Sequence, residues 1–359
     1  MRFAVIGCGV IGELHARTIQ SLQPEAQLAA VVDVVPERAR SYSETFGVAS
    51  STDLDSVLGR EDVDAVTVCT PSGSHADIAV AALRAGKHVI IEKPIDVTLP
   101  AARRIMDAER ESGATAMVVS QHRHDPASQL VHQTIGEGRF GRLTSGIASI
   151  AWWRSQAYYD SGDWRGTWAM DGGGALMNQG VHTLDLLVWF LGEPTEVFAW
   201  TGTLAHERIE VEDVATATIR FENGALATVH GTTAAYPGLS TSVGVYGDRG
   251  AAEITRNALS YYHVAPDENV PEFAYGAGGG ANQAEQVLSE QPAPSTDESV
   301  AGLEATSHTT QFQDFLEAVR TGRPPLVTVA EATRTLSVLR GIYESARTGS
   351  PVRLKELER

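Results

Sequence analysis

Short apolar runs alternate with amphipathic segments along the first 120 residues of the chain. The apolar runs are of strand length and cover 3–6, 27–32, 65–69, 88–91 and 115–120. Between them, apolar residues recur at helical spacing over about 10–22, 36–46, 74–85 and 98–112. Strands that alternate with helices are typical of parallel βαβ units. We therefore predict an α/β domain with a doubly wound parallel sheet over residues 1–122.

The pattern changes in the rest of the chain. β-prone stretches become longer and cover 143–153, 195–204, 213–221, 225–235 and 240–247. Asn223-Gly224 stands between two of them, which is a strong signal for a tight hairpin. One strongly apolar helix is predicted over Asn178–Leu191, where Gly192 ends it. This order of elements predicts an α+β domain over 123–359, with a mostly antiparallel sheet covered by helices on one face.

The last part of the chain has features of its own. Residues 276–307 are polar, contain a run of three glycines and lack periodicity. We predict a mobile surface loop there, with a lid as the alternative. Closing helices are predicted at about 308–321 and 330–347, and the second of them is a candidate to pack back on the first domain.

The composition limits the kinds of partner. The 359 residues carry a formal net charge of -17, whereas a nucleic-acid-binding protein needs a basic surface. No apolar run is long enough to cross a bilayer, and Met1–Gly7 resembles a first strand more than a secretory leader. The two cysteines, Cys8 and Cys69, are too few for a disulfide framework and are predicted to be buried free thiols. We expect a cytoplasmic protein without nucleic-acid or membrane partners.

A glycine hexad, Gly7–Gly12, joins the first predicted strand to the first helix. Glycines at these positions allow a tight turn, a close backbone approach to a pyrophosphate and close helix–strand packing. The free N–H groups of the helix N-terminus attract phosphate. Asp33 ends the second strand, where a carboxylate binds the adenosine ribose and repels a 2′-phosphate. The motif predicts a Rossmann site that prefers NAD, while Arg38 and Arg40 keep NADP open as the less favoured cofactor.

The tripeptide Glu92-Lys93-Pro94 follows the predicted strand 88–91. Ligands of open α/β sheets bind outside the carboxyl ends of the strands, which is where this lysine is predicted. An ammonium group there can stabilise the alkoxide that forms as a hydroxyl loses its proton. Pro94 fixes the backbone, with a cis bond as one option. The alternative interpretation of Lys93 is a solvated surface charge.

A third motif runs from three glycines at Gly172 to Asp185. Asn178, His182 and Asp185 share one face of the predicted helix because they are four and three residues apart. His182 is a candidate general base, since a neutral imidazole titrates near neutral pH. The alternative is a core histidine that is hydrogen-bonded to Asp185. No metal site is predicted, because no second His or Cys cluster has ligand spacing.

Aromatic and charged residues interleave between Trp152 and Trp168. The segment contains Arg154 beside two tryptophans and the pair Trp164-Arg165. Aromatic faces beside charged groups suit a ligand with both C–H faces and hydroxyl groups, although half of these residues are expected in the core.

Together, these motifs resemble those of the Gfo/Idh/MocA oxidoreductase family over nearly the whole chain. The tripeptide at Lys93 and the GGGxxxxxGxHxxD pattern that ends at Asp185 carry the resemblance. It implies a Rossmann domain followed by a mostly antiparallel sheet that builds the substrate site and often the oligomer interface, hence a homo-oligomer. It also implies that Lys93 and His182 are the catalytic pair, with Asp185 as a helper.

The resemblance extends to further contacts. Thr70–His75 resembles the cofactor-contacting loop of the family, and Trp164-Arg165 resembles a pair that reaches the nicotinamide end of the site. Asn178 is a departure, since inositol dehydrogenase-like members commonly carry Asp there, whereas sugar-nucleotide 3-dehydrogenases carry Asn. This difference favours a sugar or sugar derivative over inositol as the substrate.

The predicted function is NAD-dependent hydride transfer at a secondary hydroxyl or carbonyl group of such a sugar. Two alternatives stay open: an inositol or anhydrosugar dehydrogenase or reductase, and a non-catalytic dinucleotide-binding regulator. The predicted cofactor-binding residues are Gly7, Gly9, Val10, Ile11, Gly12, Asp33, Thr70, His75, Glu92 and Lys93. The predicted substrate-binding residues are Lys93, Arg123, Trp164, Arg165, Asn178, His182 and Asp185.

Overall fold

The computed structural model describes residues 1–266, 281–289 and 300–357, without the side chains of residues 300–305. They form two compact units, each built from three segments of the chain. The first unit contains Met1–Gln121, Gly162–Gly173 and Asp297–Leu336. The second contains His122–Ser161, Gly174–Thr296 and Ser337–Arg359. The sequence-based division into 1–122 and 123–359 has one boundary, whereas the structure also assigns two later segments to the first unit.

The first unit contains a six-stranded parallel sheet with the order β3-β2-β1-β4-β5-β6. Its strands are β1 (Arg2–Ile6), β2 (Gln27–Val32), β3 (Ala49–Ser51), β4 (Ala65–Val68), β5 (His88–Ile91) and β6 (Ala116–Val118). The order reverses direction at β1, which confirms the predicted doubly wound fold. Only β3 is missing from the prediction, because its three residues are small and largely exposed and give no apolar run.

The helices predicted from the periodicity are present among the described residues, together with short ones of four to six residues that the pattern does not predict. They are α1 (Val10–Ser21), α2 (Pro36–Phe46), α3 (Leu54–Leu58), α4 (His75–Arg84), α5 (Leu99–Ser112), α6 (Pro126–Gly136), α7 (Gln156–Tyr159), α8 (Val181–Leu191), α9 (Ala284–Ser289), α10 (Val300–Thr321), α11 (Val329–Thr348) and α12 (Leu354–Leu357). None of them combines the length and hydropathy that a membrane crossing needs, within the part of the chain that the structure describes.

The predicted loop over 276–307 is wrong for two of its parts. Residues 284–289 form α9, and α10 begins at Val300 rather than at 308. Alanine, leucine and glutamate before residue 308 are strong helix formers, so they extend α10 toward its N-terminus. Residues 276–280 and 290–299 lie outside the described residues.

Helix α10 completes the hydrophobic core of the first unit. Phe312 and Phe315 are buried, and their ring centroids lie 6.0 and 6.2 Å from that of Phe3 on the central strand β1. The same core cluster contains both cysteines, Cys8 and Cys69, which are buried and free as predicted. A segment near the end of the chain therefore covers the middle of the first sheet.

The second unit contains an eight-stranded sheet with the order β13-β12-β11-β7-β10-β9-β8-β14. Its strands are β7 (Leu143–Ala151), β8 (Pro194–Gly202), β9 (Val214–Phe221), β10 (Leu226–Thr232), β11 (Thr241–Gly247), β12 (Gly250–Thr255), β13 (Ala258–Val264) and β14 (Val352–Arg353). Every pair is antiparallel except β7 with β10, which confirms the predicted sheet. The predicted hairpin joins β9 to β10, with Gly224 at a φ of 87° and the Asn223 side chain accepting from the Ala225 N–H.

Helix α8 lies on one face of this sheet and runs antiparallel to β7. A Cβ added to Gly146 would lie 2.8 Å from Leu187 Cδ1, near the end of α8. A Cβ added to Gly180, just before α8, would lie 3.4 Å from Ile150 Cδ1. The beginning of α8 and the end of β7 are therefore close together.

The predicted helix start at Asn178 is wrong, because a wider π-helical turn over Ala175–Gly180 precedes α8. The backbone N–H groups of Gly174 and Leu176 donate to the buried carboxylate of Glu212 at 2.9 Å each. These groups at the entry to the helix are thus satisfied by a side chain from another segment.

Candidate active site

The three glycines of the hexad have different surroundings. Gly7 has a φ of 102°, and a Cβ added there would lie 2.5 Å from the carbonyl oxygen of Cys69. A Cβ on Gly12 would lie 2.0 Å from the carbonyl oxygen of Gly7. In contrast, a Cβ on Gly9 would have no described heavy atom within 4 Å. The first and third glycines therefore permit tight packing, and the second leaves space for a ligand beside the N-terminus of α1.

Asp33 follows β2 and is fixed by two backbone groups. Its carboxylate accepts from the N–H of Cys8 and from the N–H of Val35, both at 2.8 Å. The next residue, Val34, and Val10 at the start of α1 are exposed apolar side chains. An oriented carboxylate beside exposed apolar surface and the Gly9 space fits the adenosine part of a dinucleotide.

The loop after β4 contains the predicted cofactor contacts Thr70 and His75. The His75 side chain is buried, with its ring nitrogens 2.8 Å from the Pro94 carbonyl oxygen and 2.9 Å from that of Thr70. Thr70 is partly exposed, and its hydroxyl accepts from Ser74 at 2.8 Å. His75 therefore joins the loops that follow β4 and β5. Thr70 stays accessible at the surface of its loop.

Lys93 is the exception in a buried segment. Every residue from Val89 to Val97 is buried except Lys93, which is partly exposed. The Lys93–Pro94 peptide bond is cis, one of the options left open by the sequence. The backbone N–H of Lys93 donates to the side chain of Glu92 at 3.0 Å. Lys93 is thus the only group that this segment presents outward.

Glu92, predicted as a cofactor contact, is part of a buried network. Its carboxylate lies 2.9 Å from His15 Nε2, and Cys69 Sγ lies 3.3 Å from the other ring nitrogen of His15. Burial by itself raises the pKa of Glu92, but the hydrogen bond and charge of His15 outweigh it and lower that pKa to about 2. Sequence reasoning missed His15, because 77 residues separate it from Glu92.

The same network contains the only group of potential metal ligands found among the described residues. Ligand atoms of His15, Glu92 and His308 lie within 4.8 Å of one another. Both ring nitrogens of His15 already face Glu92 and Cys69, however. We therefore assign the cluster to the hydrogen-bond network that supports Lys93.

The segment 162–173 belongs to the first unit and contains Trp164 and Arg165. The Arg165 guanidinium lies over the Trp164 ring, 4.5 Å from its centroid. The Gly73 N–H donates to the Met170 carbonyl at 3.0 Å, and a Cβ on Gly172 would lie 2.5 Å from Val97 Cγ1. This segment therefore packs against the loops that follow β4 and β5.

In the second unit, two polar side chains emerge from a buried run. Every residue from Gly174 to Val188 is buried except Asn178 and His182, which are partly exposed. The ring of His182 packs edge-on against His122, with centroids 5.2 Å apart. His122 Nδ1 lies 2.8 Å from a carboxylate oxygen of Asp125. The sequence analysis missed His122 and Asp125, although they flank the predicted Arg123.

Arg123 and Asp185 are bound to each other. The Nε and Nη2 groups of Arg123 donate to the two carboxylate oxygens of Asp185 at 2.7 and 2.8 Å, and both residues are buried. A bidentate pair of this kind is strong and geometrically fixed. It joins the short turn before α6 to α8 and holds the helix that carries His182.

A second buried carboxylate, Glu212, supports the glycine-rich turn. Besides the two backbone groups described above, it accepts from the Tyr343 hydroxyl at 3.0 Å, and that hydroxyl accepts from the Met177 N–H at 3.2 Å. Burial raises the pKa of Glu212 to about 7, and the hydrogen bonds it accepts oppose that shift. Nothing in the local sequence distinguishes Glu212 from its acidic neighbours.

Comparison with known proteins identifies the family. Residues 1–120 match the model of an oxidoreductase family with an NAD-binding Rossmann fold, and residues 128–253 match the GFO/IDH/MocA C-terminal domain. The solved WlbA dehydrogenase of Bordetella pertussis, in complex with NADH and UDP-GlcNAcA, is 30% identical. The alignment covers 98% of this chain and 97% of that one, with a TM-score of 0.87.

Two curated enzymes are also similar. The scyllo-inositol 2-dehydrogenase (NAD(+)) of Bacillus subtilis is 26% identical over 99% of this chain and 96% of its own length. The levoglucosan dehydrogenase of Pseudarthrobacter phenanthrenivorans is 29% identical over 65% of this chain and 67% of its own length. With matches across both units, the chain belongs to the GFO/IDH/MocA family of NAD-dependent oxidoreductases.

Proposed function

We propose that the protein oxidises a secondary hydroxyl group, or reduces the corresponding carbonyl group, of a sugar or sugar derivative. The main support is the selective exposure of Lys93, Asn178 and His182 from segments that are otherwise buried. One of the three similar proteins was solved with UDP-GlcNAcA, and the other two are named for scyllo-inositol and levoglucosan, which also supports a polyhydroxylated substrate.

In this proposal the glycine hexad and Asp33 hold the dinucleotide. Gly9 leaves space for the pyrophosphate, and Asp33 accepts hydrogen bonds from the adenosine ribose. Its negative charge repels a 2′-phosphate, so NAD is preferred to NADP. Bound NAD supplies the hydride acceptor or donor, and the protein supplies orientation and electrostatics.

The two candidate catalytic groups have separate roles. His182 accepts the proton of the substrate hydroxyl as a general base, and its ring is held from the side by His122. Lys93 stabilises the negative charge that develops on the same oxygen. Asn178 binds a substrate hydroxyl and, unlike an aspartate at this position, places no negative charge next to His182. Trp164 and Arg165 are proposed to bind substrate or the nicotinamide end of the cofactor.

The free face of the second sheet supports a homo-oligomer as part of the proposal. Helix α8 covers one face, whereas the opposite face exposes Ile147, Trp200 and Leu226, with Trp200 66% exposed. Apolar patches of this kind often mark protein interfaces. The two free, buried thiols fit a reducing compartment such as the cytoplasm.

The function is tested by measuring NAD reduction with a panel of sugars, inositols, anhydrosugars and nucleotide sugars. Lys93→Ala and His182→Ala are each expected to lower kcat by about 100-fold or more with the best substrate. Lys355→Ala changes an exposed residue elsewhere and His263→Ala a partly exposed one, and they serve as matched controls. Near-full turnover by both active-site variants would rule out the assigned roles.

A further inference from the structure

Arg154 follows the end of β7 and has an unusual environment in the second unit. Its guanidinium contacts two aromatic rings, 4.8 Å from the centroid of Trp152 and 5.3 Å from that of Tyr158. Its Nη2 group donates to the Gln179 side chain at 2.7 Å, and the Gln179 amide donates to the Tyr158 hydroxyl at 2.8 Å. The side chain is therefore held in one orientation by three neighbours.

The positive charge of Arg154 is not balanced by an acidic side chain. Among the side chains that the structure describes, no carboxylate forms an ion pair with Arg154, and its buried Nε–H donates to no acceptor. Arg123 differs in this respect, because its guanidinium donates to both carboxylate oxygens of Asp185. A fixed, partly buried guanidinium without a carboxylate is unexpected in a protein with a formal net charge of -17.

The position of Arg154 relates it to His182. The chain reaches Arg154 three residues beyond the end of β7, and the beginning of α8 lies at that same end of the strand. Gln179, which binds Arg154, belongs to the π-helical turn only three residues before His182. The guanidinium and the candidate base therefore belong to the same end of the second sheet.

We propose that Arg154 binds an oxyanion of the substrate, so that the preferred substrate is a sugar carrying a carboxylate or a phosphate group. This inference rests on the proposed function, because it names the class of sugar on which the enzyme acts. The planar guanidinium suits a carboxylate or phosphate through paired N–H donors. The two rings cover part of the guanidinium, and a less polar environment strengthens a charged hydrogen bond. A neutral polyol would leave the charge without a counterion.

The test compares the wild type with Arg154→Gln, Arg154→Lys and the control Arg220→Gln, which changes an exposed arginine on β9. The probes are glucuronate, UDP-glucose, UDP-glucuronate and neutral glucose. Two quantities are measured for each: kcat/KM with NAD, and the Kd by calorimetry in the presence of NADH. Thermal midpoints confirm that each variant is folded.

We expect the anionic probes to bind at least about tenfold more tightly than glucose. Arg154→Gln is expected to weaken their binding by about 100-fold, with Arg154→Lys in between and Arg220→Gln unchanged. Glucuronate and UDP-glucose separate a carboxylate from a phosphate as the recognised group.

The outcomes distinguish this inference from the proposed function. Turnover of the anionic probes with equal kcat/KM in wild type and Arg154→Gln would support the proposed reaction and overturn the anion site. Binding of an anionic probe that depends on Arg154, without any turnover, would support the anion site and contradict the proposed reaction. If no anionic probe binds, or if binding is the same in Arg154→Gln, the anion site is wrong.

Discussion

Individual polar side chains in the first unit are positioned by partners that are far away in sequence. Lys93 is fixed through its backbone by Glu92, and Glu92 is held by His15 on α1. His15 is fully buried between the Glu92 carboxylate and the Cys69 thiol. Burial alone would lower the pKa of His15, but these two partners outweigh it and raise the pKa to about 10. The support of Lys93 should therefore depend on pH.

A group whose pKa is raised by folding stabilises the protein fully below its unfolded pKa. For His15 that contribution is present below 6.5 and is lost as the pH rises through about 10. We expect His15→Gln to lower the free energy of unfolding by about 3 kcal/mol at pH 6.5. We also expect the variant to be less sensitive than the wild type to a rise from pH 6.5 to 10. Urea unfolding at several pH values measures both effects, with His263→Gln, at a partly exposed position, as the control. Parallel curves of unfolding free energy against pH for wild type and His15→Gln would disprove the coupling.

Asn178 allows a test of the electrostatics next to the candidate base. It lies four residues before His182, and both side chains are partly exposed. Asn178→Asp adds a negative charge about one helical turn away, which favours the imidazolium form of His182. The acid limb of the pH profile of kcat/KM for oxidation should therefore move to higher pH by about 0.5 to 1 unit. Asn257→Asp, in the turn between β12 and β13, is the control; an unmoved acid limb would argue against His182 as the base.

Elements of the second unit are joined by buried polar contacts rather than by apolar packing alone. The π-helical turn before α8 is bound to Glu212 and, through it, to Tyr343 on α11. Asn178 lies in this turn, and His182 follows it as the second residue of α8. Because the pKa of Glu212 is raised, the turn should become less stable as the pH rises, whereas an acidic group with a lowered pKa loses its contribution as the pH falls.

The raised pKa of Glu212 determines how its contribution to stability changes with pH. Its contribution to stability is complete below the ordinary value of 4.5 and is lost as the pH rises through about 7. The free energy of unfolding of the wild type, relative to Glu212→Gln, should fall by up to about 3 kcal/mol between pH 4.5 and 7. Denaturant titrations of the two proteins measure this difference, and exposed Glu222→Gln should retain the wild-type slope. A constant difference across that range would refute a titrating Glu212.

The elements with clear periodicity were predictable, and those that depend on tertiary contacts were not. The buried strands of the first sheet are confirmed, and so is the end of the apolar helix α8 at Gly192. The short β14 pairs with β8 only at Val352 and Arg353, which is too little sequence to give a pattern. The start of α8 was misplaced because Glu212 satisfies the N–H groups that normally mark a helix N-terminus.

The candidate site was predictable only to the level of motifs. Lys93, Asn178 and His182 were found from local patterns, and the structure adds that each is partly exposed in a buried segment. The partners His15, His122 and Glu212 have no local motif, since each acts on residues that come close only after folding. Asp185 was assigned to substrate because nothing in the sequence relates it to Arg123, 62 residues earlier.

At the scale of the whole molecule, each unit is assembled from separate segments of the chain. In the first unit, Phe312 and Phe315 on α10 cover Phe3 and complete the core. Phe315→Ala should lower the free energy of unfolding by about 3 to 5 kcal/mol, because it leaves a cavity at a fully buried site. Urea unfolding tests this, with Tyr236→Ala as an exposed aromatic control. A loss below about 1 kcal/mol would mean that α10 is not needed for that core.

The exposed face of the second sheet gives a prediction about assembly. Trp200 is the most exposed of the three apolar side chains named on that face. If the face is an interface, Trp200→Arg should shift the protein to a smaller species in sedimentation experiments, because a charge would be buried without a partner. Leu204→Arg changes an exposed apolar residue outside the strands and is the control. Identical sedimentation of wild type and Trp200→Arg would place the interface elsewhere.

The late position of α10 in the chain has a consequence for synthesis on the ribosome. The first sheet is complete once residue 118 has emerged, but the helix that covers it starts only at residue 300. At about 5–20 residues per second, the intervening stretch takes roughly 10–35 s to translate. During that time Phe3 and its neighbours on the nascent chain lack the cover that Phe312 and Phe315 later give. The nucleotide-binding unit, although encoded first, can therefore complete its folding only when most of the polypeptide has been made.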